Sequence, residues 1–90
     1  MGSHQRERLQ EEIKRTLSEI LEFEARDPRL GFVTITKVKL SGDLRQAVVS
    51  LDFPLEEQRA ELLALFERDQ GFFRSELAKR LDLRYIPELK

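Results

Sequence analysis

The chain has no cysteine, which leaves neither a disulfide framework nor a thiolate metal site open to it. Its only histidine, His4, lies in Met1-Gly2-Ser3-His4, which reads as a tag remnant or disordered start over residues 1–5 and is set aside from chemistry. Four glycines stand alone at 2, 31, 42 and 71, so there is no Walker loop and no dinucleotide fingerprint. The longest apolar run, Leu62 to Phe66, has five residues, against the roughly 20 that a membrane helix needs. No basic-then-apolar signal segment opens the chain. These absences predict a soluble cytoplasmic protein with no membrane partner, no metal and no cofactor.

Catalysis is excluded on similar grounds. Ser18, Ser41, Ser50 and Ser75 have no base in their local pattern, and the carboxylates sit among arginines and lysines on helix faces. Such carboxylates read as solvated surface pairs rather than a general acid/base dyad. The expectation is no enzyme and no small-molecule substrate.

What is present is charge. Ninety residues suit one domain, and 37% of them are charged while the net charge is only −1. The distribution is uneven: residues 56–70 carry −3, and residues 71–90 carry +2. The step falls at Gly71. Asymmetry of this kind points to a polyanion on one side of the fold. The competing reading is that high charge merely keeps a small domain soluble.

Leu9, Ile13, Leu17, Ile20, Leu21 and Phe23 recur at spacings of three and four and predict an amphipathic helix over about residues 6–25. Asp27-Pro28 ends it, because proline disfavours a helical residue before it. Phe32 to Leu40 is rich in β-branched residues, but Val33 and Ile35 have one parity while Val38 and Leu40 have the other. Either a bulge lies near Thr36 or Lys37, or the inward face changes towards the strand end. Ser41-Gly42-Asp43 is turn chemistry, and Ala47, Val49, Leu51 and Phe53 then alternate with polar residues, giving a hairpin with one buried face.

After Pro54 a helix carries Leu62, Phe66 and Leu55 on one face, and Asp69 projects onto that same face. A break there resolves the conflict, with Asp69 as N-cap of a second helix accepting from the amides of Gly71 or Phe72. Phe73, Leu77 and Leu81 resume the stripe, and Leu83 to Lys90 reads as a last strand. The predicted order is α-β-β-α-kink-α-β, an α+β sandwich with helices packed on one face of a small sheet. Phe32, Phe53, Phe66 and Phe73 are expected in the core, and Phe72 is expected to pack under the kink rather than to stack on a base. With no aromatics outward on the strands, an RNA recognition motif is excluded.

Glycine in a helical run weakens it by about 1 kcal/mol relative to alanine, so Gly71 needs a reason, and close approach of backbone to a ligand is one. Arg74 and Arg80 flank the apolar stripe that follows it, Ser75 and Lys79 project oppositely, and Arg84 opens the next strand. Lys37 and Lys39 share a parity on the first strand and extend the patch. Donors and positive charge are what phosphates require. Each residue alone is better read as a solvated rim residue, and only as a group at the glycine kink do they weigh equally for a phosphate contact.

The order of elements and the segments Asp27-Pro28-Arg29-Leu30-Gly31-Phe32-Val33-Thr34-Ile35-Thr36, Arg68 to Leu77 and Leu83 to Leu89 resemble the ribosome-binding factor A family of bacteria, from about Arg6 to Lys90. The resemblance implies a type II KH-like domain over residues 6–90 with a three-stranded mixed sheet. It implies a monomer that binds the 16S rRNA of the free small ribosomal subunit and assists late maturation, including rRNA processing and adaptation to cold. Its alanine-any-glycine kink falls on Asp69-Gln70-Gly71, with aspartate where the family usually has alanine. The family continues the last strand beyond the position of Lys90 and usually adds a mobile tail, which implies a C-terminally truncated chain. The RNA contacts expected are Gly71, Arg74, Ser75, Lys79, Arg80 and Arg84, with Lys37 and Lys39 as weaker candidates. The alternative reading is a non-catalytic protein-interaction or dimerisation module whose acidic segment, residues 56–70, meets a basic partner.

Overall fold

The structure, a computed structural model, describes the backbone of residues 2–25, 27–81 and 88–89 and the side chains of 5–25 and 27–81. The first helix, α1, spans Gly2–Phe23. It begins before residue 6 and takes in the stretch expected to be a disordered start, because Gln5 to Arg8 are all good helix formers. Ile13, Leu17, Ile20 and Leu21 are buried on one side of it, each worth about 1.5–3 kcal/mol of apolar burial. Phe23 belongs to the same sequence pattern yet is 74% exposed, since the helix ends on it and the stripe has no partner beyond that point.

A five-residue 3-10 helix, Pro28–Phe32, joins α1 to the sheet. Asp27 is its N-cap, extended at φ −99° and ψ 115°, and its Oδ1 accepts from the Arg29 amide at 3.0 Å. Pro28 fills the first turn, where its missing N–H leaves no bond unmade. Leu30 and Val33 are buried. In a helix of three residues per turn, positions three apart share a side, so Phe32 points away and is 72% exposed rather than in the core as expected.

Strand β1, Thr34–Leu40, pairs antiparallel with β2, Gln46–Asp52. The register shifts between Ile35 and Lys37, opposite Leu51 and Ser50. Thr36 is the extra residue, and its Oγ1 donates to the Ser50 carbonyl at 3.2 Å. The bulge lets Ile35 and Val38, of opposite parity, both face the core. Ala47 and Val49 are buried from β2, Leu51 and Phe53 half-buried. In the turn, Asp43 Oδ1 accepts from Ser41 Oγ and the Arg45 amide at 2.6 and 3.1 Å, while Leu44 takes the left-handed conformation at φ 63°. At the free edge of β1, Gln10 Oε1 accepts from the Leu40 amide at 2.9 Å.

A short 3-10 turn, Glu56–Gln58, leads into α2, Arg59–Arg68, and then α3, Gln70–Arg80. Leu62, Leu65 and Phe66 are buried from α2, Phe73 and Leu77 from α3. Phe66 stacks on Phe73 with centroids 4.9 Å apart, and Phe72 meets Phe73 edge-on at 5.7 Å, packed against the core. Leu55 is extended before the turn and exposed, so it does not share the face of Leu62 and Phe66. The described part of the last strand, β3, is Glu88–Leu89, which runs parallel to Gln46 and Ala47 of β2. A parallel pairing needs a crossover, and α2 with α3 supplies it. The rest of the predicted strand from Leu83 to Lys90 lies outside the described residues. The architecture is mixed α+β: α1 packs on β1 and on α3, with the core between helices and hairpin.

Candidate nucleic-acid interface

The α2–α3 junction is nearly continuous helix. The Asp69 amide donates to the Leu65 carbonyl and the Phe73 amide to the Asp69 carbonyl, both at 3.1 Å. Asp69 itself sits at φ −94° and ψ 16°. A side-chain N-cap needs an extended residue, so these torsions turn the carboxylate away from the amides ahead. Arg68 holds it instead, with Nε and Nη2 donating at 3.1 and 3.3 Å. The expected cap at Asp69 is therefore replaced by an ion pair, and the junction carboxylate is covered by a guanidinium.

Gly71 is exposed, its φ is negative, and an added Cβ would meet nothing within 4 Å. Nothing among the described residues requires glycine at this position. Beyond it, Arg74 is half-buried beside the fully buried Phe73, and Ser75 and Lys79 are exposed. Glu76 lies under two cations: Lys79 Nζ donates to Oε2 at 3.0 Å and Arg80 Nη1 to Oε1 at 2.7 Å. These hydrogen bonds, Arg80's first, hold the Glu76 carboxyl below its ordinary range and push the Arg80 guanidinium up. Arg80 also reaches Glu24 after the last turn of α1, Nη2 to Oε1 at 3.2 Å, and so pins the C-terminal end of α3 to the first helix.

Lys37 and Lys39 stand opposite Ser50 and Val48 on the outer face of the hairpin, while the intervening Val38 is buried. They face away from the helical layer and do not extend the α3 surface as the sequence suggested. Arg84 lies outside the described residues. The structure thus brings together Gly71, Arg74, Ser75, Lys79 and Arg80 on one helix and sets Lys37 and Lys39 apart.

A second charged network lies beyond the residues that the sequence pattern singles out. Arg29 donates from Nε and Nη2 to Asp27 at 3.0 and 2.7 Å, and from Nη1 to Glu61 of α2. Its side-chain and backbone hydrogen bonds pull the Asp27 carboxyl down to about 2, with the charges of Arg29 and Arg68 adding to the effect. The order Asp-Pro-Arg is a legible signal for it, since aspartate before a proline at N1 is an N-cap pattern as well as a helix stop. Among the described residues there is no group of acids or histidines able to hold a metal, and no helix is long and apolar enough to cross a membrane. An open depression between α1 and β1, lined by Ser18, Glu22, Gly31, Val33, Thr34 and Ile35, includes nothing from α3.

The ribosome-binding factor A family model matches residues 5–90. The chain belongs to the ribosome-binding factor A family. It is 48% identical over 90 residues to ribosome-binding factor A of Natranaerobius thermophilus, covering 99% of this chain and 69% of that one. The crystal structure of ribosome-binding factor A from Thermus thermophilus superposes with a TM-score of 0.83 at 29% identity, over 94% of this chain and 91% of that one. A homology model of Thermus thermophilus ribosome-binding factor A, fitted into the cryo-EM map of a 30S–RbfA complex, has a TM-score of 0.76 at 32% identity and covers 91% of this chain and 87% of that one. In this chain the α2–α3 junction carries a glycine, Gly71, and a paired carboxylate, Asp69, two residues before it.

Proposed function

We propose that the chain is a non-catalytic assembly factor of the bacterial cytoplasm that acts as a monomer on the free small ribosomal subunit. It binds 16S rRNA and assists late maturation of the subunit, with rRNA processing and growth in the cold as the processes it serves. Its domain is KH-like of type II, with the third strand completing the sheet. The contact surface is α3 and the junction before it: Gly71, Arg74, Ser75, Lys79 and Arg80, with Arg84 following. Lys37 and Lys39 form a separate and weaker contact on the outer sheet face.

One observation carries this reading. Gly71 is exposed on a helix with nothing among the described residues within 4 Å of its missing Cβ, which leaves its smallness free to serve a ligand. A phosphate backbone lying against that bare surface gives the glycine a reason, and the basic side chains one and two turns on give the phosphates donors. The membership of the fitted 30S relative in the same family supports the choice of subunit.

Co-sedimentation with isolated small subunits, isolated large subunits and assembled ribosomes tests the proposal. Binding to small subunits alone is the expected result, weakening steeply as salt rises. Equal binding to all three, or a salt-insensitive association, contradicts it.

A further inference from the structure

Two carboxylates stand within the proposed contact surface, Asp69 at the junction, held by Arg68, and Glu76 on α3, and a phosphate-binding face has no obvious use for the second. Glu76 lies two residues after Arg74 and is bonded to both Lys79 and Arg80. Its side chain is only 13% exposed, against 69% for Lys79, so the acid is tucked beneath a cation that itself reaches into solvent. Arg80 has a second tie across to Glu24, just after the end of α1, whereas Lys79 has Glu76 as its one ion-pair partner among the described residues.

Resting on the RNA-binding reading above, we propose that Glu76 is a built-in counter-anion of the site. It occupies the donors of Lys79 in the free protein and competes with phosphate for them, and so sets an upper limit on affinity for the subunit. Three features favour competition over mere positioning. Both bonds are made within one helix, at spacings of three and four, so breaking them disturbs no tertiary contact. Arg80 is already oriented by Glu24 and does not need Glu76 to place it. Lys79 is a flexible ammonium with three donors, which can swing from carboxylate to phosphate without moving the helix. A factor that must leave its subunit gains from a held-back affinity, because removing the acid would strengthen binding without adding a contact.

The test measures equilibrium binding of the 90-residue protein to purified small subunits at two salt concentrations, for wild type, Glu76→Gln, Glu76→Lys and Lys79→Gln. Removing one charge a few ångströms from a phosphate site should tighten binding about three- to tenfold at low salt for Glu76→Gln, and the gain should shrink at high salt. Glu76→Lys should tighten it further, and Lys79→Gln should weaken it. Pairs three and four residues apart on one helix add little to folding, so circular dichroism and melting should show all variants folded. If Lys79→Gln weakens binding while Glu76→Gln leaves it unchanged or weaker, the inference falls and the RNA-binding reading stands. If none of the variants changes binding, the α3 surface is not the contact and both fall.

Discussion

Two charged clusters in this protein use the same chemistry to different ends. At the α1–β1 connection, Arg29 bridges Asp27 beside it and Glu61 of α2, 32 residues away in sequence. On α3, Glu76 gathers Lys79 and Arg80 from its own helix, three and four residues on. The first network joins separate elements, next in the chain to the fully buried Leu30, so it ties α2 to the connection. In the second the pairs that Glu76 makes stay within one helix and can be undone without moving an element, while Arg80's separate bond to Glu24 still holds α3 to the end of α1. What an ion pair does for a fold depends on what its two ends are attached to. A pair across elements positions them, while a pair within one helix remains available for exchange with a ligand.

The comparison can be broken most forcefully at the connection. Leu30→Ala removes the apolar anchor of the connection and should cost about 2–5 kcal/mol in urea unfolding, as for other fully buried leucines. A much smaller loss would mean that the polar network, not the leucine, holds the connection. Gly71→Ala should act in the opposite sense on stability: an alanine in open helical space adds up to about 1 kcal/mol, read from the same unfolding curves. Small-subunit affinity should fall at the same time by roughly tenfold, if about 1.4 kcal/mol of close backbone contact is lost. A variant that is both more stable and binds equally well would leave the glycine without a function in binding.

The smallest effect is that of pH. Asp27 is lowered from 3.8 to about 2, so its contribution to stability is fully present above its unfolded value and is lost as pH falls through that window. Asp27→Ala should therefore melt below wild type at pH 7, and the gap should close between about pH 4 and pH 2. A gap that stays constant through that range would show that Asp27 acts by shape alone.

Much of this architecture is legible in the sequence, for definable reasons. The clash of parity between Ile35 and Val38 requires either a bulge or a change of face, and the structure shows the bulge at Thr36, because only an extra residue lets both side chains reach the core. The helical stripe of α1 is plain in its spacing, except at Phe23, where the pattern continues but the packing partner does not. Phe32 defeats the pattern because its neighbourhood reads as strand, while the chain there is a 3-10 turn whose period of three puts Leu30 and Val33 inward. Asp69 reads as a cap because its face clashes with the leucine stripe. The clash is instead relieved by the arginine next to it, and capping depends on backbone torsions that residue type does not reveal. The basic residues of α3 stand out in the sequence, but their pairing does not, and nothing in strand parity alone shows that Lys37 and Lys39 face away from them.

In the proposal above, folding and binding draw on different charged clusters. The most direct test is to measure both quantities, melting temperature and small-subunit affinity, on Arg29→Gln and Lys79→Gln side by side. Arg29→Gln should lower the melting temperature and leave affinity unchanged at temperatures where it is fully folded. Lys79→Gln should weaken binding with the melting temperature unmoved. If Arg29→Gln weakens binding while Lys79→Gln shifts only stability, the assignment of the two clusters is contradicted.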